Sequence, residues 1–232
     1  LDAAREQLLA KYKPATVRYT FMVVKRVWWA LKKHGLVEGA PFVEMERVFV
    51  GNNVPKWNVA EPGEIEKLEK SFKLGTRERA VLLMFALHGF RARELAGLTL
   101  ENLAEVKGDT VASWKAKMGR FRRMVLQPVA LEAVLAWRKT CKAKNEPASP
   151  VIPKKDGTSP HTRSDLKYLV IVACHQVLRH RVTPHGLRAT FISDVIGRKG
   201  IEVARQLAGQ ENISTTVRYS RWSVIRDDER KF

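Results

Sequence analysis

The amino-acid sequence predicts a mainly α-helical fold with a small antiparallel β-sheet, divided into two domains. Apolar residues recur at helical spacing over most of the chain. Residues 109–127 change to an alternation of period two around Gly119, which is typical of a β-hairpin. Residues 50–63 are rich in Pro, Gly and Asn without sustained periodicity, which is typical of a linker. We therefore expect a helical domain over residues 1–52 and a larger domain over residues 53–232.

The first predicted domain contains two apolar stripes at helical spacing, with basic residues beside the second stripe. Pro14 is expected to begin a helix, because proline fits the first helical turn, and Gly35 is expected to end one. Trp28 and Trp29 are expected to pack in the core. The stripes consist of Leu8, Leu9 and Tyr12, and of Phe21, Val24, Trp28 and Leu31.

In the second predicted domain, helices are expected after Pro62 and over residues 76–88, 128–143 and 162–179. Glu64 and Glu66 fall in the first turn of the helix after Pro62, where acidic side chains suit the positive end of the helix dipole. Residues 145–161, which are rich in Pro and Lys, are expected to form an exposed loop.

The charge balance favours a polyanionic partner. Lys and Arg total 42 against 24 for Asp and Glu, which gives a net charge of +18. A field of that sign attracts nucleic acid, although a merely soluble basic protein has the same balance. The sequence shows no membrane-span pattern and no signal-peptide pattern. Cys141 and Cys174 have neither metal-ligand nor Cys-x-x-Cys spacing, so we expect reduced structural thiols in a cytoplasmic protein.

The segment Pro184-His185-Gly186-Leu187-Arg188 carries two side chains suited to binding phosphate. A spacing of three residues puts His185 and Arg188 on one side of a helical turn. Pro184 favours a helix start, and a helix N-terminus favours anions. A surface pair has the same spacing, so this motif alone is weak.

The segment Gly89-Phe90-Arg91-Ala92-Arg93-Glu94-Leu95 pairs an arginine with an acid three residues later. A buried guanidinium needs a carboxylate to hold it, and Glu94 supplies one for Arg91. An ordinary helix salt bridge is the alternative reading.

The segments Leu207-Ala208-Gly209-Gln210 and Ile213-Ser214-Thr215-Thr216-Val217-Arg218-Tyr219 lead to a candidate nucleophile. A phenol has a pKa near ~10, so Tyr219 needs nearby cations to react at neutral pH. The other tyrosines lie in apolar helical patterns and are expected to be packing residues; they are Tyr12, Tyr19 and Tyr168.

In this order and spacing, the three sets of segments closely resemble the tyrosine recombinase (phage integrase) family, over roughly residues 60–222. Residues 14–42 resemble the later part of the family's helical core-binding domain, so the chain is expected to be truncated at its N-terminus. The resemblance implies the family's catalytic-domain fold preceded by a small helical domain. Because the family places its arginine two residues after the glycine, it favours Arg91 over Arg93.

The resemblance also assigns catalytic roles. Tyr219 is the nucleophile that forms a 3′-phosphotyrosine. Arg91 and Arg188 stabilise charge on the phosphate, Glu94 supports Arg91, and His185 manages the tyrosine proton or orients the phosphate. Neither a metal nor another cofactor is implied.

Two further positions complete the expected site. In the family a lysine of the hairpin protonates the leaving 5′ oxygen; Lys117 is nearest the turn, and Lys115 on the same face is the alternative. Gln210 stands where the family usually has His or Trp. A glutamine amide donates a hydrogen bond to a phosphate oxygen, but it does not exchange a proton near neutral pH.

The implied function is site-specific DNA recombination of the integrase or transposase type, as used by mobile genetic elements. The implied partners are double-stranded DNA and further copies of the chain, as a tetramer on two duplexes, and no membrane is involved. The expected DNA contacts are Arg18, Lys25, Arg26, Lys32, Lys115 and Arg122. Two alternatives stay open: a DNA-binding regulatory protein impaired at Gln210, and a type IB topoisomerase, which the short two-part layout makes the weaker candidate.

Overall fold

The computed structural model describes residues 2–39, 59–115, 121–210, 213, 216, 217 and 219. The chain divides into two compact units, residues 1–56 and 57–232. The predicted boundary between residues 52 and 53 lies outside the described residues, as does Gly119 of the predicted hairpin turn.

The first unit contains helices α1 (Asp2–Lys11) and α2 (Pro14–Lys33). Helix α2 begins at Pro14, as predicted, and Gly35 has a left-handed φ of 68° just beyond its end. Among the described residues of this unit, Val17 and Phe21 are buried apolar residues that pack together.

The two tryptophans of α2 differ in their surroundings. Trp28 is partly buried and packs against Phe21 and Val17, in keeping with the predicted packing role. Trp29 is 48% exposed, with the Lys32 ammonium 5.4 Å from its ring centroid, so its predicted core position is wrong.

The second unit is mainly helical with one small sheet. The helices for which the structure gives bounds are α3 (Pro62–Ser71), α4 (Arg77–His88), α5 (Ala92–Ala96), α6 (Pro128–Thr140), α7 (Arg163–Leu178), α8 (Pro184–Lys199) and α9 (Ile201–Ala208), with a 3₁₀ turn at Leu100–Asn102. Its strands are β1 (Leu103–Val106), β2 (Asp109–Lys115) and β3 (Phe121–Val125), paired antiparallel in that order. The predicted fold class is confirmed. Strand β1 was not predicted, because its short sequence has no alternation and it is held by pairing with β2.

Helix α4 lies at the centre of the second unit and packs against α3, α6, α7 and α8. Every residue from Ala80 to Ala86 is buried, which is typical of a helix surrounded by protein. The helix ends at Gly89, whose φ of 60° is left-handed. A Cβ at Gly89 would lie 2.4 Å from Cδ1 of Phe191, so the glycine lets α8 approach the chain just before Arg91.

The middle of the predicted exposed loop is buried, so that prediction is wrong. Val151 is 0% exposed and Ile152 4% exposed. The buried Arg138 guanidinium of α6 donates to the carbonyls of Pro150 and Val151. This contact supplies the donors that buried carbonyls need, which allows irregular backbone to enter the core.

The predicted packing tyrosines are exposed, so that prediction is also wrong. Tyr12, Tyr19 and Tyr168 are 55%, 63% and 73% exposed, whereas Tyr219 is 3% exposed. A helical pattern identifies the apolar face of a helix, but whether another element covers that face depends on tertiary packing.

Cys141 and Cys174 have free thiols, and burial raises the pKa of Cys174 to about 12. Within the described part of the chain, none of the helices has the length and apolar character needed to cross a membrane.

Candidate active site

Glu94 holds two arginines at the start of α5. The Arg91 amide and Nη1 donate to the two carboxylate oxygens of Glu94 at 2.8 and 2.7 Å. Nη1 of Arg122 donates to the same carboxylate at 3.0 Å. Burial alone would raise the pKa of Glu94, but the Arg91 amide, the Arg122 charge and the Arg91 guanidinium outweigh it and lower that pKa. Glu94 therefore stays ionised, and the predicted pairing of Arg91 with Glu94 is present.

Arg188 is the most deeply buried of the described arginines of the site, with 2% of its surface exposed. It lies in the first half of α8 and donates through Nη1 to the Gly89 carbonyl and through Nη2 to the Ala208 carbonyl. One side chain thus joins the end of α4 to the end of α9.

The charges around Arg188 show which groups lie close to it. Burial lowers the pKa of Arg188, and the charges of Arg91 and Arg122 lower it further. Glu94 and Tyr219 act in the opposite direction. Arg91 and Tyr219, which were predicted to share one site with Arg188, thus both lie within electrostatic range of the Arg188 guanidinium, although the three residues come from distant parts of the chain.

Three successive carbonyls at the C-terminal end of α9 each accept a hydrogen bond from a different arginine. The carbonyls of Leu207, Ala208 and Gly209 accept from Arg122, Arg188 and Arg91, in that order. The last carbonyls of a helix lack helical partners and carry partial negative charge, so they suit cations. The end of α9 thereby gathers the three guanidinium groups.

His185 lies in the first turn of α8, as predicted. The helix begins at Pro184, and the Thr183 hydroxyl caps it by accepting from the Gly186 amide at 3.0 Å. His185 keeps an exposed surface, but the surrounding protein lowers its pKa, and the charges of Arg188 and Arg91 lower it further. Its imidazole is therefore neutral at pH 7 and able to accept a proton.

Gln210 and Tyr219 are anchored to neighbouring buried groups. The Thr216 hydroxyl donates to Oε1 of Gln210 at 2.6 Å, and both residues are buried. The Ser193 hydroxyl of α8 donates to the Tyr219 carbonyl at 3.4 Å. Since the amide oxygen of Gln210 accepts, its NH₂ group is the end suited to donating to a phosphate oxygen.

The two candidate lysines differ in what the structure describes. Lys117 lies outside the described residues, so its role stays a prediction. Lys115 is exposed at the end of β2, where it pairs with Phe121 of β3.

Arg122 departs from the predicted contact with DNA. Its side chain is 8% exposed, and its guanidinium carbon lies 4.8 Å from the ring centroid of Trp114. This burial does not fit a phosphate contact, and Arg122 joins Glu94 instead. The alternation of side chains along β3 indicates this burial, because Arg122 lies on the same buried face of the strand as Met124. The other predicted DNA contacts are exposed; they are Arg18, Lys25, Arg26, Lys32 and Lys115.

Comparison with known proteins identifies related sequences. The sequence profile of the phage integrase family matches residues 61–224. A tyrosine recombinase XerC of Mesorhizobium japonicum is 27% identical over 82% of this chain and 62% of its own length. A XerC of Xylella fastidiosa (strain M23) is 31% identical over 63% of this chain and 49% of its own length. The chain thus spans less than two thirds of these relatives.

Solved structures share the fold. The XerH recombinase bound to a palindromic difH substrate has a TM-score of 0.78 at 16% identity, over 99% of this chain and 70% of that one. A lambda integrase dimer bound to a COC′ core site has a TM-score of 0.72 at 11% identity, over 94% of this chain and 62% of the integrase chain. The Tn1549 transposon integrase with transposon right end DNA has a TM-score of 0.67 at 17% identity, over 98% of this chain and 84% of the transposon integrase chain. Since the matching profile spans well over half of the sequence, the chain belongs to the phage integrase family.

Proposed function

We propose that this chain is the catalytic part of a site-specific DNA recombinase, which cuts and rejoins duplex DNA through a covalent bond to Tyr219. The observation that carries the proposal is the geometry at the end of α9, where adjacent carbonyls accept hydrogen bonds from buried Arg188 and from Arg91, which Glu94 holds in place. Buried Tyr219 is held against helix α8, which also carries Arg188, through the Ser193 hydroxyl. Preorganised cations of this kind stabilise the charge that develops on a phosphate in the transition state.

The exposure of the side chains suggests how the phosphate approaches. The Arg91 side chain is 41% exposed and His185 is also exposed, whereas Arg188 and Tyr219 are buried. A DNA phosphate arriving from solvent meets Arg91 and His185 first, with Arg188 beneath them. Fixed donors on both sides then hold the phosphate in place for attack.

The chemical step is an in-line exchange of phosphate esters. The phenolic oxygen of Tyr219 attacks phosphorus, the new P–O bond forms, and the bond to the 5′ oxygen breaks. Neutral His185 accepts the phenolic proton, and a hairpin lysine (Lys117, with Lys115 as the alternative) protonates the leaving oxygen. Gln210, Arg91 and Arg188 bind the non-bridging oxygens. Attack by a 5′ hydroxyl reverses the step, so rejoining needs no outside energy source.

The partners follow from the charge and from the relatives. A net charge of +18 favours binding to duplex DNA. The solved neighbours include a recombinase on its DNA substrate, an integrase dimer on a core site and a transposon integrase on transposon DNA. We extend these features to this chain as DNA integration or transposition by a homo-oligomer on two duplexes. A cytoplasmic location suits the two free thiols.

Covalent capture tests the proposal without knowledge of the target sequence. The chain is incubated with a library of duplexes that have a randomised core. Each duplex carries a nick, so that the short strand with the 5′ hydroxyl is lost after cleavage and the covalent adduct is not resealed. Adducts that survive denaturant are sequenced to identify a cleavable duplex. We expect an adduct from the wild type and from Tyr168→Phe, which alters an exposed tyrosine. We expect none from Tyr219→Phe, which should still bind the recovered duplex.

Two results would overturn the proposal. Sequence-specific binding of DNA by the wild type without any adduct would favour a DNA-binding regulatory protein. In that case Gln210, which replaces the family's usual His or Trp, would be the position at which the active site is impaired. Relaxation of supercoiled DNA without sequence preference would favour a type IB topoisomerase.

A further inference from the structure

We infer that Arg122 is a positioning residue for DNA cleavage, acting through Glu94 and the end of α9 and not through a phosphate. This inference rests on the proposed function. Arg122 holds the β2–β3 hairpin, Arg91 and the segment before Gln210 in one arrangement.

The sheet fixes the near end of the Arg122 side chain. Arg122 lies directly opposite Trp114 in the pairing of β2 with β3. Its guanidinium carbon is 4.8 Å from the Trp114 ring centroid, and only 8% of the side-chain surface is exposed. A guanidinium stacked on an indole and shielded from water is held strongly.

The two ends of the guanidinium reach different elements. Nη1 donates to Glu94 at 3.0 Å, and the other oxygen of that carboxylate accepts from Arg91 at 2.7 Å. Nη2 donates to the Leu207 carbonyl, three residues before Gln210. Only a planar fork reaches both acceptors at once, so a lysine would keep the charge and lose one contact.

Gly209 shows how closely Arg122 approaches the end of α9. A Cβ at Gly209 would lie 2.6 Å from Nε and 2.7 Å from Cδ of Arg122. The buried arginine therefore fills the space that a side chain at position 209 would need. Because Gly209 directly precedes Gln210, the position of Arg122 also limits where the Gln210 amide lies.

Arg122 also belongs to the hairpin that carries the candidate general acid. It is the second residue of β3, and residues 116–120, which include Lys117, connect β2 to β3. Loss of Arg122 would release strand β3 from Glu94 and from the end of α9 together. A displacement of about 1 Å at a reacting group is enough to slow a reaction ~100-fold.

The test separates positioning from DNA contact. Single-turnover cleavage of the captured duplex is measured at saturating protein for the wild type, Arg122→Lys, Arg122→Met and the matched control Arg123→Met, which alters the neighbouring exposed residue. We expect both Arg122 variants to cleave roughly 100-fold more slowly, with DNA affinity and its salt dependence unchanged. We expect Arg123→Met to keep the wild-type rate constant at saturation.

A chemical rescue distinguishes positioning from a general loss of folding. Ethylguanidine added to Arg122→Ala should restore part of the cleavage rate at concentrations that leave the wild type unaffected, since it refills the space beside Glu94. Wild-type cleavage rates in Arg122→Lys and Arg122→Met would overturn the inference. So would a weaker DNA affinity with a salt slope reduced by about one at an unchanged rate, which indicates a phosphate contact. Failure of the wild type itself to form an adduct refutes the proposed function instead, and removes the reaction that Arg122 is inferred to serve.

Discussion

Replacing Gly209 with alanine is predicted to destabilise the larger unit by about 2–4 kcal/mol. Gly209 ends α9 with a left-handed φ of 57°. That conformation costs a residue with a Cβ roughly 1–2 kcal/mol. The new Cβ would also lie 2.6 Å from Nε of Arg122, so the buried side chain has to move.

The second contribution comes from the hydrogen bonds that Arg122 makes. Displacing its guanidinium weakens the contact with Glu94 that now measures 3.0 Å. A hydrogen bond to a charged group contributes about 1.5–3 kcal/mol. The alanine also restricts the unfolded chain, which offsets about 0.4–1 kcal/mol, and the net loss is about 2–4 kcal/mol. For a unit of this size, the thermal midpoint should fall by roughly 5–15 °C.

Urea denaturation of two control variants isolates the contact from the backbone effect. Gly108→Ala places alanine at a φ of 87° with no heavy atom within 4 Å, so it should show backbone strain alone. Gly197→Ala lies within helix α8 in open space and should stabilise the protein by about 0.5–1 kcal/mol. If Gly209→Ala lost no more stability than Gly108→Ala, the buried position of Arg122 against α9 would be refuted.

Three further predictions concern pH, packing and DNA affinity. Burial lowers the pKa of His88 to about 4, so at this residue only the unfolded chain gains a proton as the pH falls from 6.5 towards 4. In urea denaturation His88 should therefore contribute about 2 kcal/mol to the loss of stability between pH 7 and pH 5, and His88→Gln should shrink the pH dependence by that amount. Gln210→Ala should cost about 1–3 kcal/mol in the same assay, because the buried Thr216 hydroxyl loses its 2.6 Å acceptor, while Gln210→Glu should cost less. Each alanine substitution on α2 that removes a phosphate contact should reduce by about one the slope of log affinity for the captured duplex against log salt concentration. An unchanged slope would exclude that position from the DNA interface. The positions are Arg18, Lys25, Arg26 and Lys32.

Local sequence patterns predicted several helix starts and one contact of the candidate site. Pro14 and Pro184 begin α2 and α8, because each proline fits the first turn of a helix. The spacing from Arg91 to Glu94 predicted their contact, because an acid in the first turn of a helix reaches back to the residue just before that helix. These predictions depend on interactions between residues a few positions apart.

The errors involve contacts between distant parts of the chain. Composition favoured an exposed loop over residues 145–161, but Arg138 of another element supplies the donors that let Val151 enter the core. Three tyrosines were expected to be packing residues, but more than half of the surface of each is exposed. Arg122 was expected at the DNA because it is basic and follows the hairpin. Its acceptors, Glu94 and the Leu207 carbonyl, lie 28 and 85 residues away in the sequence.

The proposed reaction depends most directly on attack of the DNA by the Tyr219 hydroxyl. Mass spectrometry of peptides from the captured adduct, after nuclease digestion, measures this directly. The account predicts that the nucleotide is attached to the peptide containing Tyr219, and that Tyr219→Phe removes it. A nucleotide attached to Tyr12, Tyr19 or Tyr168, or an adduct that persists in Tyr219→Phe, would contradict the account.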